Sequence, residues 1–535
     1  MKKNSTLELP PEIAFDEILF HQHIKQLFQI KEETPFHIRI LKRSIDARSR
    51  NIKINIQVEV YIDELPENNF ETKTTYQTVS NAPSVLIIGA GPAGLFAALR
   101  LIELGLKPII LERGKEVQER RRDLANINKK NIVNENSNYC FGEGGAGTYS
   151  DGKLYTRSKK RGDIKRILEI MVMHGASPSI LFEAHPHIGT NKLPKLIQEI
   201  RNSILKYGGE IHFNTKVIDF ILEGKEMKGV VAIQTTEQAA APADTANTIS
   251  FYGVAVLLAT GHSARDIFER LQHKNITITP KPFALGIRIE HQQQLINQIQ
   301  YHGNTCAVLP AASYSLVTQI QTSQAQKGVF SFCMCPGGFI VPAATQQNEI
   351  VVNGMSPSKR DSPFSNSGIV VAIDENDWKK FNSFGALAAM EYQKSIEQKA
   401  WNIAGNTQAA PAQRMLDFVQ KKTSSALLDT SYQPGLVSVE MREILPAEIA
   451  YCLQEGFKNF GSKMQGYLSN DAQIIGVESR TSSPVKIPRD KDTLEHITTK
   501  RLFPCAEGAG YAGGIMSAAM DGERCAEQIA RLYHR

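Results

Sequence analysis

The sequence predicts a protein of the α/β class whose nucleotide-binding domain is discontinuous in the chain. Three stretches carry this prediction: a strand, glycine-rich turn and helix from Ser84, a buried strand that ends at Ala259-Thr260-Gly261, and a strand, turn and helix over 502–533. Strands that alternate with helices are typical of a parallel sheet covered by helices. We therefore expect a Rossmann-like domain with an inserted α+β second domain and a small N-terminal α+β domain. The predicted bounds are 1–80 for the N-terminal domain, 81–280 and 472–535 for the two parts of the nucleotide-binding domain, and 281–471 for the inserted substrate or lid domain.

The turn after the first of these strands has the spacing of a dinucleotide site. It reads GAGPAG at 89–94, followed by Glu112 at the tip of the next strand. Gly89 allows the tight turn, Gly91 lets a pyrophosphate approach the backbone, and Gly94 lets the helix pack against the strand. Glu112 is placed to hold ribose hydroxyls, and its charge disfavours the 2′-phosphate of NADP. The alternative is a glycine-rich turn that binds nothing.

Composition excludes several classes of protein. The chain has 535 residues and a net charge of +6, which is mild for a nucleic-acid-binding protein. The first residues lack the apolar segment of a secretory signal, and no run is long enough to span a bilayer. Seven cysteines without a paired spacing suit a reducing compartment. We expect a cytoplasmic protein that does not bind membranes.

The N-terminal 80 residues predict a helix over 15–29, a hairpin of strands over 36–47 and 52–62, and an earlier strand near Leu7. The hairpin carries six cations and one acid over residues 37–53. This pattern is typical of a solvated sheet face, and a basic surface for RNA, phosphate or a partner remains the alternative. The polar residues from 65 to 83 predict a linker.

Two further segments bear on the nucleotide-binding domain. Residues 115–131 are highly charged and predict a surface helix, and residues 141–153 form a glycine-rich loop. Such a loop favours contact of backbone amides with an anionic ligand over a flexible surface loop. Residues 251–258 predict one buried strand that leads to a second cofactor contact at Thr260 and Gly261. Residues 237–247 predict a disordered insertion.

Two segments nearer the C-terminus carry candidate chemistry. Residues 329–338 read VFSFCMCPGG, and strand alternation places Cys333 and Cys335 on one face, most simply as buried thiols. Their spacing does not fit the C-x-x-C redox or zinc pattern. The strand over 502–504 leads to a second helix with a glycine-rich N-terminus, which suits the negative charge that develops on a reduced flavin.

Together, FGEGGAGTYSDGKL, FSFCMCPGG, VESRTSSPVKIPRD and EGAGYAGGIMSAAMDG resemble the bacterial family of uncharacterised FAD-dependent dehydrogenases. That family lies within the flavoproteins of the glutathione reductase type, which have two dinucleotide-binding domains. The resemblance implies FAD at the first site and extends over residues 36–535. The cofactor contacts that it implies, by motif position, are Gly89, Ala90, Gly91, Pro92, Ala93, Gly94, Glu112, Arg113, Gly144, Gly145, Thr148, Ser150, Val217, Thr260, Gly261, Glu507, Ala512, Gly513, Gly514 and Ile515.

The chain also departs from that superfamily. It lacks the C-x-x-x-x-C disulfide after the first glycines, a second GxGxxG and an evident histidine for flavin attachment. These departures argue against a disulfide reductase of that type and predict non-covalent FAD. We expect an oxidoreductase that acts on an unidentified small molecule, with Arg480, Arg288 and Cys335 as candidate catalytic residues and NAD(P)H as a candidate transient electron donor. The alternative is a binding protein in which FAD is structural or sensory and the basic hairpin contacts RNA.

Overall fold

The computed structural model describes residues 1–66, 72–155, 162–235, 248–304, 306–323 and 325–533. The predicted disordered insertion at 237–247 lies outside these ranges. No helix in the described ranges is both long and apolar enough to cross a bilayer.

The N-terminal domain is a three-stranded antiparallel sheet covered by two helices. Alternate residues of its central strand, including Ile54, Ile56 and Val58, are buried against the helices. The predicted helix, hairpin and earlier strand are therefore present. In sheet order the strands run β1-β3-β2, and the elements are β1 (Lys2–Leu9), α1 (Pro11–Phe15), α2 (Glu17–Leu27), β2 (Phe36–Asp46) and β3 (Lys53–Ile62).

Cations of the hairpin pair with acids both on the hairpin itself and elsewhere in the chain. Arg39 pairs with Glu59 at 3.2 Å, Lys53 pairs with Glu8 at 2.8 Å, and Arg43 pairs with Glu183 of the nucleotide-binding domain. Each of these acids offsets the charge of the cation with which it pairs.

The nucleotide-binding domain is built on a five-stranded parallel sheet with the order β22-β10-β4-β5-β6. Alternate residues of β4 face opposite cores, Val85 and Ile87 toward helices and Leu86 and Ile88 toward a three-stranded antiparallel sheet. The elements are β4 (Ser84–Ile88), α3 (Pro92–Glu103), β5 (Lys107–Leu111), α4 (Val117–Lys130), α5 (Ile164–Met173), α6 (Leu193–Lys206), β6 (Glu210–His212), β7 (Thr215–Glu223), β8 (Glu226–Gln234), β9 (Thr248–Tyr252), β10 (Ala255–Leu258), α7 (Arg265–His273), β11 (Thr279–Pro280), β21 (Val485–Lys486), β22 (Leu502–Pro504) and α12 (Ile515–Tyr533).

Two local predictions for this domain were wrong. The segment 251–258 contributes to two strands, because the chain leaves the antiparallel sheet after β9 and enters the parallel sheet at β10. Gly253 lies between them, where a Cβ would approach the carbonyl oxygen of Ser84 to 2.8 Å. The charged helix α4 is not confined to the surface. Its Arg120 is fully buried and donates to the carbonyl oxygens of Asn138 and Glu143.

The second domain is a seven-stranded mixed sheet with the order β13-β14-β17-β12-β20-β18-β19, packed with α9 and α11 in one core. Its last central strand, 473–478, lies beyond the bound of 471 that the sequence analysis gave. The elements are β12 (Phe283–Gln292), α8 (Gln293–Gln300), β13 (Val317–Gln321), β14 (Gln326–Cys335), β15 (Phe339–Pro342), β16 (Val352–Met355), β17 (Phe364–Ile373), α9 (Ala388–Ile403), β18 (Ala410–Arg414), α10 (Met415–Gln420), β19 (Leu436–Ser438), α11 (Ala447–Lys463) and β20 (Gln473–Glu478).

Candidate active site

A deep cleft lies at the carboxyl ends of β4, β5 and β10, between the parallel sheet and the second domain. Its empty volume is about 1530 Å³, including the part open to solvent. Its lining joins residues from separate segments, including Gly91, Gly261 and Ile515, which is the kind of surface that an extended ligand such as a dinucleotide requires. Ligands of open α/β sheets bind at this edge, where strand order reverses.

The first glycine-rich turn forms one wall of the cleft. A Cβ on Gly94 would lie 2.1 Å from the carbonyl oxygen of Gly89, so Gly94 is required for packing. A Cβ on Gly91 would meet no other heavy atom within 4 Å, which leaves room for a ligand at the start of α3. The carbonyl oxygen of Ala90 accepts a 2.8 Å hydrogen bond from Gly144, so the turn also holds the glycine-rich loop.

Glu112 ties three loops together at the same wall. Its Oε2 accepts a hydrogen bond from the Ala90 amide at 2.8 Å, and its Oε1 accepts from the Gly114 and Gly142 amides at 2.9 and 3.0 Å. The side chain is only 5% exposed, yet it borders the cleft. Each carboxylate oxygen has two lone pairs, so Oε2 can also accept a ribose hydroxyl.

Most of the residues implied as cofactor contacts meet in this one cleft. Those that line it are Gly89, Gly91, Pro92, Ala93, Glu112, Arg113, Gly145, Ser150, Val217, Thr260, Gly261, Glu507, Gly514 and Ile515. The others do not border it directly and are Ala90, Gly94, Gly144, Thr148, Ala512 and Gly513. Thr148, for example, is fully buried and donates to the carbonyl oxygen of Glu143.

The turn after β10 and the start of α12 form a further part of the cleft wall, next to the first glycine-rich turn. A Cβ on Gly261 or Gly514 would meet nothing within 4 Å, so both positions are open to a ligand. His262 follows Gly261, and its Nδ1 lies 3.3 Å from Oε2 of Glu507. The first amides of α12 have no partner within the helix and carry a partial positive charge, which suits an anionic group.

Arg480 borders the cleft but is committed to a buried ionic cluster. We use this name for Arg265, Glu349, Glu397 and Arg480, whose side chains are each at most 8% exposed. Nη2 of Arg480 lies 2.7 Å from Glu349 and 2.9 Å from Glu397, and Arg265 pairs with the same two acids at 2.6 and 2.8 Å. Burial alone would lower the pKa of Arg480, but the two carboxylates outweigh it and raise the pKa.

Arg288 and Cys335 lie behind the wall of the cleft. Both are fully buried and neither borders it. Arg288 donates to Glu478 at 2.5 Å, to Oδ1 of Asn366 at 2.8 Å and to the carbonyl oxygen of Cys333 at 2.8 Å. A guanidinium with these partners supports the wall, and the structure gives neither residue a direct contact with a ligand in the cleft.

The prediction that Cys333 and Cys335 share one face was wrong. Cys333 has a φ of 49°, and the pairing of β14 with β17 shifts register between Phe332 and Cys335. This bulge breaks the alternation of side chains. Cys333 is exposed and borders the cleft, whereas Cys335 is buried beneath it.

Several cleft residues were missed by the sequence analysis. Lys153 ends the glycine-rich loop and His262 directly follows Thr260-Gly261, so adjacency to a motif was an available signal for both. Phe332, Cys333 and Asn353 reach the cleft from the second domain, and no local pattern indicates this.

Two family models that describe FAD proteins match this chain. One is described as an FAD binding domain and matches residues 83–128, and the other is described as "FAD-dependent protein, C-terminal domain-like" and matches residues 282–481. A domain of unknown function matches residues 1–61. The open positions at Gly91, Gly261 and Gly514, which all border one cleft, fit this cofactor.

Among known proteins, an uncharacterised protein of Clostridium beijerinckii is 37% identical over 527 residues, which cover 95% of this chain and 95% of that protein. Among solved structures, a flavoprotein/dehydrogenase from Cytophaga hutchinsonii is 9% identical with a TM-score of 0.35, covering 84% of this chain and 79% of that one. A geranylgeranyl bacteriochlorophyll reductase-like protein from Thermoplasma acidophilum is 12% identical with a TM-score of 0.34, covering 85% and 79%. These two likenesses are too distant to carry an argument about activity. The 37% identity over almost the whole of both chains shows that this protein belongs to one family with the Clostridium protein, and the two matching models show that it is a family of FAD-dependent proteins.

Proposed function

We propose that this protein is an oxidoreductase that holds FAD non-covalently and acts on a small molecule bound between the nucleotide-binding domain and the second domain. The observation that carries the proposal is the single continuous cleft, which joins the open glycine turns to a wall of second-domain side chains. Bound FAD supplies two-electron transfer, and the protein supplies binding, orientation and electrostatics.

The chain offers distinct groups to each part of the cofactor. The turn at Gly91 and the N-terminus of α3 would hold the pyrophosphate, because helix N-termini favour anions. Glu112 would hold the adenosine ribose. The N-terminus of α12 at Gly514 and Ile515 would donate amides to negative charge on the flavin edge.

Lys153 is the cation we infer to orient an anionic substrate group. It borders the cleft, and its Nζ is 3.7 Å from Oδ2 of Asp151. Burial would lower its pKa, but the sulfurs of Cys335 and Cys333 and the carboxylate of Asp151 outweigh burial and raise it. Lys153 therefore stays protonated at neutral pH. Asp151 is also bound to Arg360 at 2.8 Å, so it does not fully neutralise the ammonium group.

The electron donor is tested with the purified holoprotein. A flavin spectrum is expected after purification, and anaerobic NADH or NADPH is then added. Bleaching by one nucleotide supports a pyridine-nucleotide-driven reductase. Bleaching only by other reduced substrates supports a dehydrogenase that takes electrons from its substrate. A protein that lacks flavin absorbance and takes up no added FAD would contradict the proposed function.

A further inference from the structure

The bulge in β14 places one cysteine at the cleft and a second cysteine in the buried layer behind it. The positive φ of Cys333 turns its side chain toward the cleft, and Cys335 follows it two residues later in the buried layer. Sγ of Cys335 donates to the carbonyl oxygen of Cys333 at 3.3 Å, so the buried thiol lies against the backbone of the accessible cysteine. One thiol is therefore accessible, and the other is reached only through it.

Two cations lie against this pair. Lys153 donates to the carbonyl oxygen of Met334, the residue between the cysteines, and Nη2 of Arg288 lies 3.8 Å from the Cys335 sulfur. The acids that face these cations are Asp151, which also pairs with Arg360, and Glu478, which is bound to Arg288. Both carboxylates are thus held by cations rather than directed at the sulfurs.

The two thiols differ in acidity as a result. The neighbouring Cys335 thiol and the charges of Lys153 and Arg288 lower the pKa of the Cys333 thiol to about 6. The neighbouring Cys333 sulfur and burial raise the pKa of the Cys335 thiol. An accessible thiolate beside a buried thiol is the arrangement of attacking and resolving cysteines.

We propose that Cys333 and Cys335 form a redox-active dithiol that reduces small disulfides bound in the cleft. The Cys333 thiolate attacks one sulfur of the disulfide R–S–S–R, which forms a mixed disulfide and releases one thiolate. Cys335 then loses its proton to that thiolate and attacks the Cys333 sulfur, which releases the second thiolate. Two electrons pass from the dithiol to the disulfide, and an intramolecular Cys333–Cys335 bond remains. The proposal deepens the proposed function by naming a substrate class, but the thiol exchange itself does not require FAD.

The experiment uses the purified holoprotein, first reduced and freed of reductant, and oxidised glutathione as the probe under anaerobic conditions. Thiols are alkylated after exposure, and peptides are mapped by mass spectrometry. We expect the peptide with Cys333 and Cys335 to lose two hydrogens and to escape alkylation. The C335S variant is expected to retain glutathione on Cys333, and the C333S variant to leave Cys335 as a thiol.

Three matched measurements make the test decisive. The alkylation rate of Cys333 should reach half its maximum near pH 6, and K153M should shift that midpoint upward. A C306S control should behave as wild type, because Cys306 is a partly exposed free cysteine that does not border the cleft and has no cysteine two residues away. A midpoint near about pH 8.5, the ordinary value for a free cysteine, or a wild-type protein that retains glutathione on Cys333, would overturn the proposal.

A flavin spectrum of the same sample separates the two proposals. A flavoprotein in which both cysteines remain thiols overturns the dithiol and leaves the oxidoreductase intact. Disulfide formation in a protein that cannot bind FAD supports the dithiol and overturns the proposed FAD-dependent oxidoreductase.

Discussion

Substitution of Gly91 by alanine tests the cofactor cradle most directly. Gly91 has φ −74° and ψ −178°, a conformation that any residue adopts, and its Cβ would contact nothing in the protein. The apo protein should therefore be as stable as wild type or gain up to about 0.4–1 kcal/mol, since alanine restricts the unfolded chain. A methyl group forced against a tightly packed ligand costs about 1–3 kcal/mol, so FAD affinity should fall about 5- to 150-fold.

Gly94 provides the matched control in the same turn. A Cβ there would meet the carbonyl oxygen of Gly89 at 2.1 Å, so backbone must move in the apo protein itself. G94A should lower the melting temperature of apo protein, whereas G91A should not. The assay compares thermal unfolding of deflavinated samples with titration of FAD followed by flavin fluorescence. Wild-type FAD affinity in G91A would refute the assignment of this turn to the cofactor.

Three further predictions concern buried polar groups. E112Q should destabilise the apo protein by about 1–3 kcal/mol, because the amide nitrogen of glutamine cannot accept the backbone hydrogen bonds that one carboxylate oxygen of Glu112 accepts. An unchanged melting temperature of the apo protein would contradict this prediction. R480M should cost about 3–5 kcal/mol in chemical denaturation, because Glu349 and Glu397 would lose a partner, and R480K should recover part of it. Burial lowers the pKa of His291 to about 4. Between about pH 6.5 and 4, the unfolded state therefore binds a proton that the folded state excludes. The free energy of unfolding should fall by about 3 kcal/mol as the pH drops through this range. H291Q should show a shallower fall over that range, and an identical pH profile would exclude His291 as its source.

The parts of the fold that could be predicted are those determined by patterns among residues close together in the sequence. The β4–α3 turn, the alternating strand β3 and the C-terminal helix each show their own periodicity, and the structure contains all three. Phe251–Leu258 was assigned to one strand because its apolar run is continuous. The chain changes sheet at Gly253. The close approach of Ser84 from another strand accompanies this change, and the local sequence does not indicate it.

The site divides in the same way. Glycine positions that contact the cleft follow from motif spacing, because the backbone within one turn determines them. Strand alternation failed at Cys333, where a register shift against β17 depends on residues more than thirty positions away. Arg288 and Arg480 were noticed as cations, but their burial with Glu478 and with the ionic cluster depends on strands and helices that are distant in sequence.

The ionic cluster explains how the two walls of the cleft keep one arrangement. Arg265 comes from helix α7 of the nucleotide-binding domain, while Glu349 and Glu397 come from the second domain and Arg480 follows its last central strand. Apolar residues of similar volume would hold these surfaces together at least as strongly, because charges lose hydration on burial. With apolar residues, however, a small displacement of the two domains would cost less free energy than it does with four charges held by paired hydrogen bonds. Arg480 and its neighbour Thr481 also border the cleft. We therefore infer that the cluster fixes the distance between the glycine turns and the wall that carries Cys333. Any transfer between cofactor and substrate depends on that distance.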